Sequence, residues 1–134
     1  MKLRLRGNSL RFRLTQGEVL KLLTEGAVQE SVHFSAAEGD LLTYSLYSVG
    51  GPGSITAQLE NREIRVEVPK SLVEIWANTD QVGIDSTQSI ADEKALRIVI
   101  EKDFRCLQPQ SEEDERDNFP NPLAESLEDP TGAK

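Results

Sequence analysis

Apolar and polar residues alternate at the start of the chain, and the alternation changes phase once. Leu3 and Leu5 stand at odd positions, whereas Leu10, Phe12 and Leu14 stand at even ones. A regular strand cannot change phase, so Gly7-Asn8 is read as a tight hairpin turn or a bulge. A two-residue hairpin pairs Leu5 with Leu10 and Leu3 with Phe12. It also sets Arg4 opposite Arg11 and Lys2 opposite Arg13. Like charges directly opposed on a sheet are unfavourable. Such a hairpin needs a compensating anion, whereas a bulged strand would spread the cations out.

Periodicity predicts the remaining elements. Thr15-Gln16-Gly17-Glu18 reads as a capping box; Val19, Leu22 and Leu23 form an apolar stripe behind it, and Gly26 is a natural stop. Val28, Val32 and Phe34 share one face of a strand, with His33 on the other. Leu42, Tyr44 and Leu46 line the next strand. Gly50–Gly53 is a turn. A turn at Asn61-Arg62 then pairs Leu59 with Ile64, Ala57 with Val66 and Ile55 with Val68, all apolar on both sides. Pro69 opens a second helix carrying Leu72, Val73, Ile75 and Trp76, and Asn78 is its stop. A last hairpin runs from Gln81–Asp85 to Leu96–Asp103 across a polar loop. Its near-continuous Leu96, Ile98, Val99 and Ile100 suit a central strand covered on both faces. The fold class is α+β: an antiparallel meander of about seven or eight short strands, able to curl into a partly open barrel, with two short helices. No internal repeat stands out.

The apolar pattern ends after Leu107. Residues 1–107 are expected to form the core, and residues 108–134 an acidic, proline-containing tail, flexible or docked in extended form. The chain has 134 residues and a net charge of −8, room for one domain. That charge argues against general nucleic-acid binding. Phe12, the one aromatic residue among the N-terminal arginines, alternates inward with Leu10 and Leu14. No stretch is long and apolar enough for a membrane helix, and the N-terminus lacks the apolar core of a signal peptide. A cytoplasmic protein is expected. One cysteine, Cys106, excludes an internal disulfide.

Three segments resemble a family of small bacterial proteins whose function is unknown. They are Gly7-Asn8-Ser9-Leu10-Arg11-Phe12-Arg13-Leu14-Thr15, then Glu101-Lys102-Asp103-Phe104-Arg105-Cys106-Leu107, then Glu113-Asp114-Glu115-Arg116-Asp117 running into Phe119-Pro120-Asn121-Pro122. The similarity covers residues 1 to about 122. It transfers no catalytic residue, but it implies that the acidic Phe-Pro segment belongs to the protein's design.

Charge is segregated along the chain. Lys2, Arg4, Arg6, Arg11 and Arg13 lie in the first thirteen residues, which hold no acid. Glu112, Glu113, Asp114, Glu115 and Asp117 crowd a short stretch near the other end. Phe119, beside Pro120 and Pro122, has the build of a docking anchor. Glu101 and Asp103 share a strand face; they suit acid–base work or a hard cation, but as neighbours of the first strands they would offset Arg4 and Arg11. Cys106, near Lys102 and Arg105, could be an activated thiolate with His33 as base, or a small packed residue. No metal-ligand cluster, phosphate loop, dinucleotide fingerprint or other cofactor signature is present. The leading expectation is a non-catalytic binding or interaction module. Its basic strands face an anionic partner or its own acidic tail, and Glu113, Asp114, Asp117, Phe119 and Pro120 dock onto a protein or a second copy. The alternative is a small enzyme, or a binder of an anionic small molecule, with a cleft near Glu101, Asp103, Cys106 and the arginines.

Overall fold

The computed structural model describes residues 1–104 and Phe119. Residues 1–104 hold eight strands and two helices: β1 (Lys2–Leu5), β2 (Ser9–Leu14), α1 (Gln16–Glu25), β3 (Ala27–His33), β4 (Leu41–Val49), β5 (Thr56–Glu60), β6 (Glu63–Pro69), α2 (Lys70–Asn78), β7 (Gly83–Ala91) and β8 (Lys94–Lys102). Both local hairpins adopt the registers their turns dictate. Leu5 faces Leu10, Leu3 faces Phe12, Arg4 faces Arg11 and Lys2 faces Arg13. Leu59 faces Ile64 and Ala57 faces Val66; this ladder starts at Thr56, with Ile55 buried just ahead of it. Gly7, Asn61 and Arg62 all have positive φ, the conformation that tight two-residue turns require.

The helices end as their sequences indicate. In α1 the Thr15 hydroxyl accepts from the Glu18 N–H, and the Glu18 carboxylate accepts from the Thr15 N–H at 2.9 Å. Gly26, at φ 84°, closes the helix in the left-handed conformation. α2 follows Pro69 without a side-chain cap. Val19 and Leu22 of α1, and Val73 and Trp76 of α2, are buried. The Trp76 indole N–H donates to the Val82 carbonyl at 3.0 Å, which satisfies a polar group that its burial would otherwise strand.

The class is α+β as expected, but the strand order is not a meander. The strands form two four-stranded sheets, ordered β1-β2-β8-β7 and β3-β4-β6-β5, with no closed barrel. Each sheet joins two antiparallel hairpins through a parallel central pair: β2 with β8, and β4 with β6. β4 therefore does not pair with β5. The last hairpin is also longer than expected. Its strands run to Ala91 and from Lys94, so the polar stretch from Ser86 is strand rather than loop.

Each sheet turns one apolar face inward. Leu10, Phe12, Leu14, Ile84, Ile98 and Ile100 are buried in the first, and Val28, Leu46, Val66 and Val68 in the second. One seam between the sheets is closed by a side chain that acts as a strand: the Gln88 amide of β7 accepts from the Ala57 N–H of β5 at 2.7 Å and donates to its carbonyl at 3.0 Å.

The two halves of the chain run ββαββ twice, and their registers coincide. The pair Phe12–Ile100 in one sheet corresponds to Val66–Leu46 in the other, each residue 54 positions from its counterpart (12 to 66, 46 to 100). The β1–β2 and β5–β6 ladders are related by the same offset. The sequence did not show this repeat because the halves share a pattern and few identities. Phe12, fully buried where β2 meets β8, holds both halves together. Replacing it with alanine is expected to cost about 3–5 kcal/mol of stability in denaturant titration.

Candidate functional site

Two-residue alternation places the N-terminal cations on one face of the first sheet. Across β1, β2, β8 and β7, register aligns Lys2 with Arg13, Glu101 and Gly83, and Arg4 with Arg11, Val99 and Asp85. Ser9, Arg97 and Thr87 continue the next row, beside Arg6 at the end of β1. All these side chains point away from the core, because Leu3, Leu10, Phe12, Ile98 and Ile100 point into it.

The counter-ions come from β8 and the residue after it. Glu101 Oε1 accepts from Arg13 Nε at 2.7 Å and from Arg11 Nη1 at 3.4 Å. Asp103 Oδ2 lies 3.1 Å from Lys2 Nζ. The acids expected to offset Arg4 and Arg11 thus serve Arg11, Arg13 and Lys2 instead. The parallel register explains this shift, since it sets Glu101 beside Arg13 rather than deeper along the strand. Arg4 makes no ion pair among the described residues and is exposed. Asp85 and Arg97, which the sequence reading passed over, form a two-pronged pair on the same face at 2.7 and 3.3 Å. The hydrogen bond from Arg97, helped by the charge of Arg97 and Arg11, holds the Asp85 carboxyl below its ordinary value. Opposite signs at diagonal positions of the last hairpin, where Asp85 faces Val99 and Arg97 faces Thr87, were the signal that could have identified the pair.

The face is therefore partly neutralised. Among the described residues, Lys2, Arg4, Arg11, Arg13 and Arg97 meet three carboxylates, Asp85, Glu101 and Asp103. The second sheet's outer face is different. There Ser45 Oγ donates to Glu63 Oε2 at 2.6 Å, the Tyr47 hydroxyl donates to the same oxygen at 3.1 Å, and the Arg65 guanidinium lies 3.8 Å over the Tyr47 ring. Arg65 also pairs with Glu67 at 3.0 Å.

Among the described residues, Asp103 of the residues expected for the alternative reading lines a cavity, and Glu101 does not. A cavity of about 470 Å³ lies between α1, α2 and the end of β8, lined by Leu14, Val19, Leu23, Ala77, Lys102 and Asp103 among others. Glu101 and the arginines lie on the sheet face instead. His33 is exposed on β3. Among the described residues no three His, Cys, Asp or Glu side chains cluster as a metal site requires. No helix among the described residues is long and apolar enough to cross a membrane. Phe119 is exposed. Cys106, Glu113, Asp114, Asp117 and Pro120 lie outside the described residues.

One family model, a family of unknown function (DUF7009), matches residues 1–123. The match runs through the acidic segment and Phe119-Pro120-Asn121-Pro122. No curated protein and no solved structure shows a significant match.

Glu101 is the keystone of the basic face, 18% exposed between arginines that are about twice as open. Glu101→Gln is expected to lower stability by about 1–2 kcal/mol, since two partly buried arginines lose a charged acceptor. Added salt should restore part of that loss, and pairing it with Arg13→Gln should cost less than the two single changes summed. Chemical denaturation of the four proteins at two ionic strengths measures both effects.

Proposed function

We propose, for a chain that belongs to the DUF7009 family and takes no activity from it, a non-catalytic binding module whose basic sheet face receives an acidic peptide segment. The observation that supports this most is the charge of that face, on which, among the described residues, Lys2, Arg4, Arg11, Arg13 and Arg97 outnumber Asp85, Glu101 and Asp103. Glu101 is engaged as a counter-ion, which favours a role in shaping the surface over one in turnover.

The spacing of the cations favours a peptide. Lys2 and Arg4 stand two residues apart along an edge strand, about 6.7 Å from each other on one face. An extended chain with acids at alternate positions carries carboxylates at the same interval. Arginine suits such a partner because its planar fork can grip a carboxylate with two donors. The chain's own Glu113, Glu115 and Asp117 have this alternation in sequence, so the segment received is either another protein's or this protein's own.

Titration of the full-length protein with a poly-glutamate peptide of about 15 residues tests the reading. Binding is expected at low salt and should weaken about tenfold or more between about 50 and 200 mM salt, as screened charge pairs do. A second protein, with Glu112, Glu113, Asp114, Glu115 and Asp117 changed to their amides, distinguishes the two sources. Tighter binding would identify the native segment as a competitor, and unchanged binding would point to an external partner. Absence of binding at low salt would overturn the reading.

A further inference from the structure

The two halves supply an internal control for the basic face. The β1–β2 hairpin and the β5–β6 hairpin have the same register, the same two-residue turn length and the same kind of parallel neighbour. Their inward positions match in character: Leu3 and Ala57, Leu10 and Ile64, Phe12 and Val66, Leu14 and Val68; Leu5 and Leu59 also match, and both are exposed. Helix positions match as well, Val19 with Val73 and Leu22 with Trp76, and so do Val28 with Ile84 and Leu46 with Ile100. Packing therefore makes the same demands on both halves.

Their outward positions do not match. Where the first hairpin has Lys2, Arg4 and Arg6, the second has Thr56, Gln58 and Glu60. Arg4 stands opposite Arg11, whereas Gln58 stands opposite Arg65; Lys2 stands opposite Arg13, whereas Thr56 stands opposite Glu67. The first hairpin thus holds two pairs of opposed cations, whereas the second holds none and has one pair of opposed acids, Glu60 and Glu63. Across the equivalent rows the second sheet carries one cation, Arg65, against Glu60, Glu63 and Glu67. The scaffold is built once with a basic face and once without.

We infer that the chain is a fused pair of equivalent ββαββ units and that Lys2 and Arg4 are partner-recognising residues of the first unit, which the fold itself does not require. The second half of this statement rests on the acidic-peptide reading; the first does not. The ends of the core are consistent with fusion. Lys2 and Asp103 touch at 3.1 Å, and their counterparts are Thr56 and Val49, the two residues that flank the link between the halves.

Exchanging the outward residues between the units in the full-length protein tests the inference. The variant Lys2→Thr/Arg4→Gln is expected to melt within about 3 °C of the parent, as substitutions at exposed positions usually do. It should bind poly-glutamate at least about tenfold more weakly. The reciprocal Thr56→Lys/Gln58→Arg variant should fold and acquire a second site, so that calorimetric stoichiometry rises from one peptide to two. Failure of either variant to fold, or a folded reciprocal variant that gains no site, would overturn the inference. If the parent itself binds no peptide, the acidic-peptide reading and the recognition role fall together. The melting of both variants would still decide whether the two units are equivalent and whether the fold needs the cations.

Discussion

The parallel pairing of β2 with β8 and of β4 with β6 is the constraint on which the rest depends. Without it the chain would be four separate hairpins, each with an apolar face that has no partner. Isolated two-stranded hairpins are marginal at best in water. Joining them at the centre of each sheet places Phe12 and Ile100 side by side, and Leu46 and Val66 likewise. Each pair draws one strand from each half, so neither half can complete its sheets alone. The helices follow from the same arrangement. Each connects a strand in one sheet to a strand in the other, and each buries two residues of its apolar stripe.

That pairing also decides where charge goes. β8 carries Glu101 to the side of β2 and leaves Asp103 within reach of Lys2, so the cations of the first hairpin gain anions from the far end of the core. Among the described residues two carboxylates, Glu101 and Asp103, face Lys2, Arg4, Arg11 and Arg13, and Asp85 is already held by Arg97. The second sheet shows that nothing in this architecture calls for such an excess. Its hairpin has the same backbone pairing with no opposed cations, and its one like-charge pair, Glu60 with Glu63, is acidic. A basic face present in only one of two equivalent places is what the proposed recognition role expects.

Much of the local structure was legible in the sequence, because local chemistry specifies it. Gly7-Asn8 and Asn61-Arg62 fix their hairpin registers through turn geometry, and Thr15 with Glu18 fixes a helix start. The long-range order was not legible. A parallel pair of distant strands leaves no local signal, so β4 was expected beside β5, its neighbour in sequence. Duplication was hidden for a related reason. Burial needs only apolar residues of suitable size, and leucine can drift to isoleucine, valine or tryptophan while the pattern persists. Leu5 and Leu59, Arg11 and Arg65, Val19 and Val73, and Leu42 and Leu96 are among the few identical pairs. Two extra residues before β7 further break the alignment. At the candidate site the cation row and its acidic partners were readable, but which acid met which cation depended on the parallel register.

Localising the binding surface tests the central claim most directly, that the basic face of the first sheet is a recognition surface. Isotope-labelled full-length protein titrated with poly-glutamate at low salt would report it through backbone amide chemical shifts. Perturbation concentrated on β1, β2 and the adjoining part of β8, with β5 and β6 quiet, is the predicted result. Equal perturbation of the two hairpins, or none in either, would contradict it.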